Sequence, residues 1–194
     1  MAYFNTTGVA LVTGVTGGIG QGAANALAAA GATAIALADV DGERVHHAAK
    51  NSKRYATDAQ YRARSWKLDM TDHAAVDQVV KAVVAQFGRL DYLVNSAGVD
   101  VKQHVAVPDD DPADYYRVMA VNAKGILTVS RAVSKAMAEQ EPKQFTTLSG
   151  VHRSLGRGQI VNVTSAMSLA AVPRKVAYTA SKHAALATTR AMCM

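Results

Sequence analysis

Val9-Ala10-Leu11-Val12-Thr13-Gly14-Val15-Thr16-Gly17-Gly18-Ile19-Gly20 reads as a short strand running into a glycine-rich turn. The apolar run Val9 to Val12 suits a fully buried strand and is too short to span a membrane. Glycines have no Cβ, so the turn can be tight and a pyrophosphate can come close to the backbone. Gly17 to Ala30 follows as an Ala-rich helix, ended by Gly31 as a left-handed cap. The start of such a helix offers unpaired N–H groups and the positive end of its dipole, which together favour an anion. A glycine-rich turn alone also serves ordinary strand-to-helix connections, so its surroundings must decide.

Those surroundings repeat the pattern. Thr33 to Ala38 is a second buried strand, and Asp41 to Ser52 a helix with Asp41 as N-cap. Arg62 to Leu68 is a third strand. Asp69-Met70-Thr71-Asp72 begins a helix whose Val76, Val79, Val80, Val83 and Val84 recur at helical spacing and which Gly88 ends. Leu90 to Val94 is a fourth strand, Pro112 to Glu139 one long helix, Gln159 to Val163 a fifth strand and Val176 to Met192 a last helix. Strands alternating with helices imply right-handed βαβ units and a parallel sheet covered on both faces. The expected fold is α/β: a Rossmann-type doubly wound parallel sheet in one domain, residues 1–194. Two polar stretches, Val99 to Asp111 and Glu139 to Gly158, interrupt the rhythm and read as long loops.

Composition excludes several classes. The 194 residues are 49% apolar and 19% charged, as in an ordinary globular domain. The net charge is +6, but the basic residues are scattered, which points to a solvated surface rather than to nucleic acid or membrane. Cys193 is the single cysteine, so no internal disulfide forms. The six histidines lack metal-ligand spacing, and no metal site is expected. Met1 to Asn5 has no basic n-region and no long apolar core follows, so a cytoplasmic protein is expected.

Four further places carry chemistry. Asp39 ends the second strand about 20 residues past the turn, where a dinucleotide fold puts a carboxylate against the adenosine ribose. A carboxylate there repels a 2′-phosphate, which favours NAD over NADP; Arg44 is the nearby basic residue able to turn towards a phosphate. Tyr178 and Lys182 share one helix face, and a nearby ammonium favours the phenolate that proton transfer needs. Ser165 lies just past the fifth strand, at the carboxyl end of the sheet where open α/β folds bind ligands, with Thr164 and Ser168 as neighbouring hydroxyls. Asn122 and Gly125 both weaken a helix interior, an inconsistency that marks a functional kink or a water site.

Taken together these stretches resemble the short-chain dehydrogenase/reductase family over essentially the whole chain. Thr13 to Gly20 is similar to the family's T-G-x-x-x-G-I-G turn, Asp69 to its adenine-facing acid, and Asn95-Ser96-Ala97-Gly98 to its N-N-A-G segment. Asn122, Ser165, Tyr178 and Lys182 match its catalytic tetrad. The resemblance implies cofactor contacts from Gly14, Thr16, Gly18, Ile19, Gly20, Asp39, Asp69, Met70, Asn95, Ala97, Gly98, Tyr178 and Lys182. It implies that Tyr178 is the general acid or base, that Ser165 polarises the carbonyl, that Lys182 binds ribose and activates the tyrosine, and that Asn122 holds a water. The implied reaction is hydride transfer between NAD(P) and a secondary alcohol or ketone.

The sequence departs from the family twice. Ser96 stands where the family has a second asparagine, which keeps a hydrogen-bonding group. The chain also stops at Met194, inside the helix that carries Tyr178 and Lys182. Family members continue with a sixth strand, a Pro-Gly segment, a mobile substrate lid and a seventh strand. On that comparison the expectation is a C-terminally truncated chain, with an open sheet edge and a pocket lacking one wall. Homo-oligomers through the long helices are expected once the fold is completed. The rival expectation is a catalytically inactive dinucleotide-binding fragment or interaction module. A sugar-nucleotide epimerase is a third, disfavoured by the form of the glycine turn and the short chain.

Overall fold

The first strand, β1 (Val9–Thr13), is buried along its whole length, and so is β2 (Ala34–Asp39). A strand that faces protein on both sides has no need of polar alternation, which is why both read as unbroken apolar runs. The computed structural model describes residues 6–147 and 149–192. Cys193 and Met1–Asn5, on which two sequence expectations rest, lie outside the described residues.

Five parallel strands form the main sheet in the order β3-β2-β1-β4-β7, with β3 at Arg62–Lys67, β4 at Tyr92–Asn95 and β7 at Gln159–Asn162. The chain builds outwards from β1 to β3, then returns to place β4 on the other side of β1. That reversal leaves a crevice at the carboxyl ends of β1 and β4, the switch point at which doubly wound sheets bind ligands.

Successive residues of β1 face opposite layers. Ala10 and Val12 pack with Ala24 and Ala28 of α1 (Gly18–Ala29) and with Val45 and Ala48 of α2 (Gly42–Ser52). Val9 and Leu11 pack with Val76, Val80 and Val83 of α3 (His73–Phe87), Ile126, Val129 and Val133 of α5 (Ile126–Ala138), and Ala185 of α6 (Val176–Met192). The doubly wound reading therefore holds.

Three details differ from the expectation. The helix after β3 does not begin at Asp69: Asp72 caps it by accepting from the Ala75 N–H at 3.0 Å, and His73 is its first residue. Asp69 instead closes a turn, accepting from the Thr71 N–H and Oγ1 at 2.8 and 2.7 Å. The long helix is not uniform, because a π segment (Ala120–Gly125) separates α4 (Pro112–Met119) from α5.

The third difference is the stretch from Glu139 to Gly158, which contains an antiparallel pair, β5 (Lys143–Thr146) and β6 (His152–Gly156). Gln140 fastens its base. That side chain accepts from the Leu90 N–H at 3.1 Å and donates to the Leu90 carbonyl at 2.9 Å, while Arg157 Nε donates to the Gln140 carbonyl at 3.0 Å. Lys143 reaches Asp91, just before β4, with Nζ 3.4 Å from Oδ1. The hairpin is thus attached at the amino ends of the strands, away from the crevice. Among the described residues no helix is long and apolar enough to cross a membrane.

Leu11 is fully buried between two layers, whereas Leu127 on α5 is half exposed. Leu11→Ala is expected to cost ~2–5 kcal/mol in urea unfolding, and Leu127→Ala less than about 1 kcal/mol.

Candidate active site

Gly14 has φ +70, and a Cβ there would lie 2.4 Å from the Ala97 backbone nitrogen. The turns leaving β1 and β4 therefore touch backbone to backbone, and only glycine allows both the angle and the approach. Gly20 is packed as tightly, since its Cβ would fall 2.3 Å from the Gly14 carbonyl oxygen. Gly18 faces open space, and the start of α1 has no side-chain cap. Helix N–H groups left without a cap are available to a ligand.

These turns wall a cleft of about 620 Å³. Of the expected cofactor residues, Gly14, Thr16, Gly18, Ile19, Asp39, Asp69, Met70, Ala97 and Gly98 line it. Ser96, Val99, Val121 and Arg44 line it too. Asp39 is buried at the cleft wall: its Oδ2 accepts from the Thr16 N–H at 3.1 Å and from Thr16 Oγ1 at 2.9 Å, and its Oδ1 from the Asp41 N–H at 3.2 Å. Arg44 Nη2 donates to the Thr16 carbonyl at 2.8 Å, which holds the guanidinium beside the same turn.

Asn95 is not on the cleft wall. It is fully buried, with Oδ1 accepting from Thr13 Oγ1 at 3.3 Å and Nδ2 donating to Ser130 Oγ at 3.1 Å and Asn162 Oδ1 at 2.8 Å. Asn162 in turn donates to Thr189 Oγ1 on α6 at 3.0 Å. This chain of hydrogen bonds, buried at Thr13, Asn95 and Ser130 and half-buried at Asn162 and Thr189, ties β1, β4, β7, α5 and α6 together. A satisfied polar network in the core fixes one arrangement of the elements around it.

Past Gly98 the cleft meets a second group of side chains. A Cβ on Gly98 would sit 3.2 Å from Asn122 Oδ1 and 3.5 Å from Lys182 Nζ, so the absent side chain lets both groups close around the loop. Asn122 is fully buried and clamps Val99: Oδ1 accepts from the Val99 N–H and Nδ2 donates to the Val99 carbonyl, each at 2.8 Å. Nδ2 also donates to Ser181 Oγ on α6 at 3.1 Å. The π segment is where this asparagine leaves the regular helix. Gly125 is the last residue of the segment, and Met70 packs where its side chain would be, with Cγ 2.7 Å from the position of a Cβ.

Lys182 is buried, donates from Nζ to the Val163 carbonyl at 3.2 Å, and lies 5.6 Å from the centroid of the Tyr178 ring. Burial penalises its charge and holds its pKa below that of a free lysine. Ser165 caps the short turn Ala166–Ser168, accepting from the Met167 N–H at 3.2 Å, and Ser168 Oγ accepts from the Ser165 N–H at 3.2 Å. That turn packs against α6.

A second lysine went unnoticed in the sequence. Lys175 Nζ lies 5.5 Å from the Tyr178 ring centroid and is paired with Asp100. Partial burial raises the Asp100 carboxyl, but hydrogen bonds from Lys175 and the Val101 N–H, with the charges of Lys175 and His104, outweigh it and leave the group below the usual carboxylate range. Arg117 Nη2 donates to the Asp100 carbonyl at 2.6 Å and fixes this stretch of loop. Nothing in the spacing of residues so far apart announces the pair.

Known proteins can be set beside this geometry. The family model described as short chain dehydrogenase matches residues 8–194. The short-chain dehydrogenase fogB of Aspergillus ruber is 40% identical over 184 residues, which are 95% of this chain and 67% of that protein. Galactitol 2-dehydrogenase of Agrobacterium fabrum is 35% identical over 187 residues, 96% of this chain and 63% of its own. The crystal structure of NAD⁺-bound xylitol dehydrogenase superposes with a TM-score of 0.82 at 32% identity, covering 98% of this chain and 65% of that one. The chain spans about two thirds of the length of these proteins.

Gly14→Ala is expected to lower stability in urea unfolding, because strain and clash fall on the fold itself, whereas Gly18→Ala, which meets open space, should not. Lys182→Met removes a desolvated ammonium. The unfolded chain binds the proton more tightly than the folded one, so the cost of Lys182 is present at neutral pH and fades as pH rises towards ~10. The stability difference between Lys182→Met and the native chain should therefore shift in favour of the native chain between neutral and alkaline pH. A difference that stays flat over that range refutes the assignment.

Proposed function

The chain belongs to the short-chain dehydrogenase family, and from that premise we propose that it is an oxidoreductase moving a hydride between NAD and a secondary alcohol or ketone. The single observation that carries this reading is the convergence of Asn122 and Lys182 around Gly98, with Tyr178 beside Lys182, where the glycine-walled cleft ends. A dinucleotide fits the residues present: an uncapped helix start over Gly18 for the phosphates, Asp39 and Asp69 on the wall for the adenosine half, and Gly98 for close approach beyond.

The nicotinamide, when bound, supplies or accepts the hydride. The chain's own residues handle the proton. Tyr178 gives it to the ketone oxygen in reduction and takes it from the alcohol in oxidation. Lys182 favours the phenolate by its charge. Ser165 Oγ accepts one hydrogen bond, from the Met167 N–H, and a hydroxyl that accepts there can still donate its own proton to the substrate oxygen. Asn122 holds Val99 and Ser181 in place, which sets the loop and α6 relative to each other, and the π segment beside it is where a water of the relay would be held.

Asp39 supports NAD over NADP, because a buried carboxylate repels a 2′-phosphate. The neighbouring Arg44 is occupied by the Thr16 carbonyl. The names of galactitol 2-dehydrogenase and xylitol dehydrogenase support a secondary alcohol as the substrate class.

Tyr178→Phe should lower kcat by ~10²–10⁴-fold in a chain that still folds and still binds NAD. Unchanged turnover in that variant, or none by the folded native chain across a panel of secondary alcohols and ketones, overturns the reading. Calorimetry should give tighter binding of NAD than of NADP, and the reverse order removes the role given to Asp39.

A further inference from the structure

We propose that the Asp39 carboxylate is an internal anion seated in a nest built for a phosphate group, and that Thr16 and Arg44 hold the 2′-phosphate of a dinucleotide once that carboxylate is removed. The proposal rests on the reading of the cleft as a dinucleotide site.

Three donors converge on the one carboxylate. Oδ2 accepts from the Thr16 N–H at 3.1 Å and from Thr16 Oγ1 at 2.9 Å, and Oδ1 accepts from the Asp41 N–H at 3.2 Å. These donors belong to two separate stretches, the turn after β1 and the turn after β2, so the arrangement is more than a local turn of the chain around Asp39. Asp39 is the last residue of β2 and only 9% exposed. A buried carboxylate and a phosphate ask for the same thing, N–H and O–H groups aimed at anionic oxygens.

A cation stands at the same corner. Arg44 lines the cleft together with Thr16 and Asp39. Its Nη2 donates to the Thr16 carbonyl at 2.8 Å, a neutral acceptor, which leaves the other N–H groups of the guanidinium for a ligand. Among the described residues it makes no ion pair. The neighbouring Asp41 carboxylate is engaged elsewhere, since its Oδ1 accepts from the Arg44 backbone N–H at 3.0 Å and caps α2. An arginine near the end of β2 is the group with which dinucleotide folds accommodate a 2′-phosphate.

Two accounts of NAD preference now separate. If Asp39 only repels a 2′-phosphate, its removal relieves NADP binding whatever stands at positions 16 and 44. If Asp39 fills a nest, its removal frees the Thr16 and Asp41 donors beside an unpaired guanidinium, and the gain for a 2′-phosphate depends on those residues.

Titration calorimetry on the folded chain reads the nest without turnover. The native chain should bind NAD more tightly than NADP. In Asp39→Ala the affinity for NADP and for adenosine 2′-monophosphate should rise by about 10–100-fold, and that for adenosine 5′-monophosphate should not. Adding Arg44→Met or Thr16→Val to Asp39→Ala should each lower that gain by about tenfold, whereas Thr16→Ser, which keeps the hydroxyl, should retain it. Asp39→Ser takes the place of Asp39→Ala if the latter does not fold. A gain below about threefold, or a gain that either double variant keeps in full, overturns the proposal. A native chain that binds no dinucleotide removes the cofactor reading, while adenosine 2′-monophosphate on the Asp39 variant still decides the nest.

Discussion

The backbone contact between Gly14 and Ala97 is the constraint on which the rest of the site depends. It closes the turns after β1 and β4 on each other at a distance that leaves no room for a side chain. From there the order is passed along the chain. Ala97 leads to Gly98, which Asn122 and Lys182 approach from behind. Val99 is clamped by Asn122, and Asn122 reaches Ser181 on α6. The glycine turn after β1 and the helix α6, far apart in sequence, thereby share one frame of reference. Orientation of this kind is what an enzyme must supply in advance of chemistry.

Much of the frame was legible in the residues. The runs Val9–Val12 and Thr33–Ala38 announce buried strands because a two-sided burial tolerates no polar alternation. Asn122 and Gly125 announced a broken helix by violating local propensity, and the π segment lies there. Asn95 was legible as special but not in its direction. Only the packed structure reveals that its amide faces the core network with Thr13, Ser130 and Asn162 rather than the cleft. The hairpin from Lys143 to Gly156 escaped notice because its residues are exposed and lack the alternation that one buried face imposes. The Lys175–Asp100 pair escaped for a different reason: it is a long-range contact between a charge on the loop after β4 and one at the start of α6, and no local pattern encodes it.

The site also runs against the rules that stabilise the rest of the molecule. The core is built mainly of Val, Leu, Ile and Ala in two apolar layers. At the end of the cleft, by contrast, an ammonium is buried at Lys182 and a helix gives up regular hydrogen bonding around Asn122. Both are local losses that packing elsewhere must offset. Such conflicts between local preference and the observed fold gather where a protein meets its ligands.

The strand order has a consequence for the time course of folding. Strand β1 can pair with β2 almost as soon as both exist, since Val9 aligns with Ala34. Its other neighbour is β4, whose Tyr92 aligns with Ala10, and β7 must then find β4 through Gln159 and Tyr92. Parallel pairings of such separation close slowly, because loop entropy is lost before any contact compensates it. A chain emerging from the ribosome therefore holds the first glycine turn and its helix long before the opposite wall arrives. Until β4 pairs, one edge of β1 has unpaired backbone groups and is open to wrong partners.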